Sequence, residues 1–123
     1  MFNGFIGLVI VLYVGYLYHI ALIKPVYSKT ASAPTKLAEY LGCGVPCLVN
    51  SGVGDLEAIV AENRVGIVMH RFSESDCHEA ALALVNLAAD PGVGDRCVAA
   101  ARRHFSLEAG VRAYADVYAS LAA

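Results

Sequence analysis

From Met1 to Ile23 the chain is apolar or uncharged, with no Asp, Glu, Lys or Arg. A helix over that stretch, rising about 1.5 Å per residue, would reach roughly 34 Å, enough to cross a bilayer. Gly4, Gly7 and Gly15 weaken such a helix, while Tyr13, Tyr16 and Tyr18 suit strands. A parallel-sheet strand also reads as a continuous apolar run. Residues 1–17 therefore form an apolar segment with two readings, a membrane anchor or an edge or core strand. Under the anchor reading, Lys24, Lys29 and Lys36 hold the rest of the chain in the cytoplasm, at the inner face of a membrane. A cleaved signal peptide fits less well, because no basic region precedes the apolar run.

From residue 18 onward short apolar runs alternate with helical periodicity. His19 to Ile23 reads as a buried strand stopped by Pro25, and Val26 to Ala33 as a polar loop. A helix is predicted to start between Ser32 and Pro34, to carry Leu37, Ala38 and Leu41 on one side, and to stop at Gly42 and Gly44. Val45 to Val49 is the next strand, and Asn50 to Gly54 a turn. Asp55 is expected to cap a helix reaching Glu62 that buries Leu56, Ile59 and Val60.

A third strand spans Val65 to Met69. Asp76 and Glu79 then stand at capping-box spacing at the entry to a helix ending near Ala89. Asp95 to His104 and Leu107 to Leu121 complete the helices, the last capped by Ser106. Alternating strands and helices with short links predict an α/β fold, a Rossmann-like parallel sheet with flanking helices.

The 123 residues suit one small domain. Hydrophobic residues make up 58% and charged ones 16%, more apolar than the usual soluble domain, so the chain is either deeply buried or meets lipid or a partner over part of its surface. A net charge of -2 argues against a nucleic-acid partner. Cys43, Cys47, Cys77 and Cys97 lack zinc-site spacing, so no metal is expected and reduced thiols in the cytoplasm are the simplest reading.

In open α/β sheets, ligands bind beyond the carboxyl ends of strands, where helix N-termini face anions. Two segments fall there: the helix entry from Ser32 through Thr35 to Lys36, and the turn holding Gly52 and Gly54. Lys36 in a first turn opposes the helix dipole but suits a phosphate. Glu39 shares its face and can accept hydrogen bonds from a diol such as ribose. On spacing alone, a plain surface ion pair of Lys36 with Glu39 is the simpler account. His19 reads as a hydrogen-bonded interior histidine, His70, at a strand end near the glycine turn, as a weaker functional candidate than Glu39, and Arg102, Arg103 and Arg112 as solvated helix faces.

The run Ser32-Ala-Pro-Thr-Lys-Leu-Ala-Glu-Tyr-Leu-Gly-Cys-Gly-Val-Pro46 resembles the donor-site motif S-x-P-[ST]-K-x-x-E-[YF]-x-x-x-G-x-P. That motif belongs to GT-B glycosyltransferases related to sucrose and glycogen synthases, the group 1 or family 4 type. Gly52-Val-Gly-Asp55, Val65-Gly-Ile-Val68, Phe105-Ser-Leu-Glu108 and Tyr114-Ala-Asp-Val-Tyr118 are similar to that family's C-terminal half, so the resemblance runs from about Tyr18 to the end.

The resemblance implies that residues 18–123 are part of a nucleotide-sugar-binding domain, a truncated C-terminal half of the GT-B architecture. It implies that Glu39 holds the ribose hydroxyls and that Lys36 and the backbone around Thr35 face the pyrophosphate of a nucleoside diphosphate sugar. That sugar nucleotide is a substrate, and no separate cofactor is implied. A second acid that the family often carries falls on Ala31 here. The acceptor-binding domain and the first strands of the donor domain are missing, so sugar transfer by this chain alone is not expected, whereas a contiguous apolar surface and self-association are. Two other readings stand beside it: a membrane-tethered, non-catalytic interaction module and a nucleotide-sugar epimerase fragment.

Overall fold

The computed structural model describes residues 19–22 and 35–122. The expectations for residues 1–17, for the loop before Pro34 and for Ser32 lie outside the described residues. The protein is mixed α/β, with more helix than strand. Among the described residues three parallel strands, β1 (His19–Ala21), β2 (Cys47–Asn50) and β3 (Gly66–Met69), lie in the order β1-β2-β3. Five helices accompany them: α1 (Thr35–Gly42), α2 (Leu56–Asn63), α3 (Glu74–Ala88), α4 (Val93–Phe105) and α5 (Leu107–Ala122).

The register Cys47↔Gly66, Leu48↔Ile67 and Val49↔Val68 divides the strand residues between two faces, because successive side chains alternate. Cys47 and Val49 join Leu37 and Leu41 of α1, Leu56 and Val60 of α2, and Val93, Cys97 and Ala100 of α4 in the larger core. Leu48 and Met69 face the other way and pack with Ala80 and Leu84 of α3. Helices thus cover both faces, which explains why β2 is buried at all four positions and reads as an unbroken apolar run.

Several boundaries differ from the expected ones for local reasons. β2 begins at Cys47, not Val45, because Val45 closes α1: its N–H donates to the Tyr40 carbonyl at 3.0 Å while Gly44 N–H reaches Leu41 O at 2.9 Å. This is the Schellman closure, and Gly44 supplies its left-handed residue at φ 77°. Val65 plays the same part after α2, its N–H 3.2 Å from Val60 O, with Arg64 at φ 51° in the left-handed position. β3 therefore starts at Gly66.

Asp55 occupies the cap position of α2 without a side-chain hydrogen bond to the backbone. Asp76 does not cap α3. Ser73 does, in extended backbone, its hydroxyl accepting the Asp76 N–H at 3.1 Å while the Asp76 carboxylate accepts the Ser73 N–H at 3.3 Å. The box is therefore Ser73 with Asp76, three residues before the expected pair. The Ser73 hydroxyl, the Ser73 N–H and Arg71 together hold the Asp76 carboxyl below the ordinary carboxylate value. α4 opens at Val93, two residues early. Asp90 draws the chain round by accepting from Gly92 N–H at 2.9 Å and from Arg96 at 2.7 Å, and these bonds lower its own pKa.

Cys47 and Cys97 are fully buried, whereas Cys43 and Cys77 are exposed. Burial, with Cys97 close by, pushes the Cys47 thiol up to about 12. Burial raises Cys97 to about 11 against the opposing pull of Arg96. An acid whose pKa is raised on folding stabilises the fold fully below its unfolded value. That contribution fades as pH rises above the ordinary 9.0. A thiol reagent at neutral pH is therefore expected to label Cys43 and Cys77 in the native protein, and Cys47 and Cys97 only in denaturant. Equal labelling of all four without denaturant would contradict this packing.

Candidate functional site

The candidate site lies where the chain leaves the carboxyl ends of the parallel strands. α1 connects the end of β1 to the start of β2, so its N-terminal turn belongs to that edge of the sheet. α2 connects β2 to β3 in the same way. Its first turn carries Glu57, whose carboxylate lies 3.9 Å from His70 Nδ1 just past the end of β3. Asn50, the last residue of β2, is 1% exposed, and its side-chain amide donates to Ser51 O at 3.0 Å. Ser51 N–H donates in turn to Met69 O at 2.9 Å, which fastens the turn to the end of β3.

Gly52 and Gly54 shape that turn, with φ of 79° and 47°, a region that side chains with a Cβ rarely enter. Between them Val53 is buried in the larger core. The turn is therefore anchored by an apolar side chain while its backbone stays at the sheet edge.

Thr35 begins α1 and is exposed. One turn of the helix brings Lys36 Nζ to 2.9 Å from Glu39 Oε2, with the side chains 68% and 60% exposed. The hydrogen bond and charge of Glu39 raise the Lys36 pKa, so the ammonium stays charged through the neutral range. Exposed pairs of this kind contribute little to stability, typically under about 1 kcal/mol. Chemically, the pair offers one ammonium donor and one carboxylate acceptor side by side on a solvent-facing helix. Both are open to a ligand that carries an anion next to hydroxyls. The structure brings Lys36 and Glu39 together and sets Thr35, Gly52 and Gly54 on the same edge of the sheet.

A cleft elsewhere on the sheet was not legible in the sequence. An open cleft of about 290 Å³ lies between β3 and α3, floored by Ile67, Met69 and Ala80 and rimmed by Arg71, Asp76 and Glu79. It sits on the sheet face opposite α1. Arg71 reaches across its rim to Asp76 at 3.4 Å, so the two charges there are mutually paired. Among the described residues no group of three or more His, Cys, Asp or Glu could hold a metal ion, and no helix is long and apolar enough to cross a membrane.

Comparison of the chain with protein-family models, with curated proteins and with solved structures gives no match.

Proposed function

We propose that this chain is the donor-binding portion of a glycosyltransferase of the GT-B type, holding a nucleoside diphosphate sugar at the carboxyl edge of its sheet. The observation that carries the reading is the exposed Lys36 and Glu39 pair in the opening turns of α1, within a run that resembles the donor-site motif. The positive-φ glycine turn after β2 supports it, because it leaves backbone free to approach a ligand on the same edge.

In this reading the Glu39 carboxylate accepts hydrogen bonds from the two ribose hydroxyls and the Lys36 ammonium faces the diphosphate. Thr35 and the two glycines supply backbone donors to the phosphate oxygens. These groups position the donor and offset the charge that builds on the departing diphosphate. The acceptor comes from a separate domain or partner chain.

Calorimetric titration with UDP, GDP and ADP tests the proposal. Glu39→Ala is expected to weaken the nucleotide that binds by about 1.5–3 kcal/mol, roughly 10- to 150-fold, the range for hydrogen bonds to a charged group. Binding of none of the three nucleotides by the folded wild-type chain sinks the proposal, and so does an affinity unchanged by the substitution.

A further inference from the structure

α5 is 16 residues long and none of its residues is buried. Leu107, Val111, Tyr114, Val117, Tyr118 and Leu121 are all more than half exposed. At 100° per residue these six fall within one arc of the helix, and Glu108, Arg112, Asp116 and Ser120 fall on the opposite one. An amphipathic helix gains stability by covering such a stripe, and among the described residues the main contact of α5 is with the preceding helix α4.

The order of side chains on the stripe says what covers it. Counted from Tyr114, the positions -7, -3, 0, +3 and +7 carry Leu, Val, Tyr, Val and Leu, the same sequence read in either direction. The remaining large residue, Tyr118 at +4, is mirrored by Gly110 at -4. A two-fold axis through Tyr114 perpendicular to the helix would set Leu107 against Leu121, Val111 against Val117, and the Tyr118 ring over the Gly110 backbone. Self-complementarity of this kind is what a closed two-fold interface between identical chains requires.

We infer that α5 is a dimerisation helix, pairing antiparallel with α5 of a second copy of this chain. At roughly 100 Å² per side chain, the two stripes together bury about 1,200 Å², the lower end of the range for specific interfaces. A lipid surface fits less well. The polar arc holds one cation, Arg112, against the two carboxylates Glu108 and Asp116, so it offers no basic excess to anionic headgroups.

Variants of the full chain with one exposed cysteine, in a Cys43→Ser, Cys77→Ser background that keeps the buried Cys47 and Cys97 and in mild detergent, test the geometry. Tyr114→Cys should cross-link to itself under mild oxidation. Leu107→Cys should cross-link to a separately prepared Leu121→Cys on mixing, but not to itself. Tyr114→Glu should raise the dimer dissociation constant by at least about 30-fold in sedimentation equilibrium, with unchanged circular dichroism, as expected for a central contact. Three outcomes overturn the inference: a monomeric wild-type chain, including one that pellets with anionic vesicles as a monomer; a Leu107→Cys self cross-link, which reports parallel pairing; or a dimer that Tyr114→Glu leaves intact.

Discussion

Gly66→Ala is expected to remove about 3–5 kcal/mol of stability, a large share of what a small domain possesses. A Cβ at this first residue of β3 would run into the backbone carbonyl oxygen of Cys47 and would lie 2.9 Å from Val60 Cγ1 and 3.0 Å from the Cys47 carbonyl carbon. Two of those three atoms are backbone of the central strand, so relief requires β2 and β3 to part where they first meet. Urea unfolding of the variant should show a sharply lower midpoint or no cooperative transition. A midpoint within experimental error of the wild type would mean that the strands do not approach as described.

The second large effect lies on the helix that carries the candidate site. Leu41→Ala is expected to cost about 2–5 kcal/mol, the range for truncating a fully buried leucine whose surroundings cannot collapse. Leu41 has no exposed surface and shares the larger core with Leu37, the other buried residue of α1. Lys36→Ala, a little over one turn away on the exposed side, should change stability by no more than about 0.5 kcal/mol. Thermal unfolding of both variants separates a helix held by its apolar face from one held by its charges. Equal losses for the two would reject the packing of α1.

The strands were legible because each is a short apolar run bounded by glycine, proline or polar residues, and a sheet covered on both faces needs no alternation. The first residues of β2 and β3 were not. Val45 and Val65 look like strand from their side chains, yet their N–H groups close the preceding helices, and only the backbone geometry tells a closing residue from a ladder residue. The cap of α3 was misplaced for a related reason. In Ser73-Glu-Ser-Asp-Cys-His-Glu79 more than one residue can cap, and the extended backbone at Ser73 decides among them.

At the candidate site, the contact of Lys36 with Glu39 follows from three-residue spacing on a helix, so it could be read in advance. The cleft between β3 and α3 could not. Its walls come from two elements whose facing is fixed by the register of β3 against β2. The palindrome on α5 was present in the sequence, but it acquires meaning only once the helix is found without a buried residue.

The two thiols sealed in the larger core also govern how the protein ages. While the chain stays folded, Cys47 and Cys97 are beyond the reach of peroxide and of other thiols. Each excursion to the open state exposes both. An oxidised sulfur is larger and more polar than a thiol, and it no longer fits a dry site between a strand and a helix. A transition that is reversible under reducing conditions thus becomes a one-way exit in an oxidising one. While reclosing outpaces oxidation, the working lifetime of the molecule is then set by the fraction of time it spends open, so each loss of folding stability shortens it in proportion.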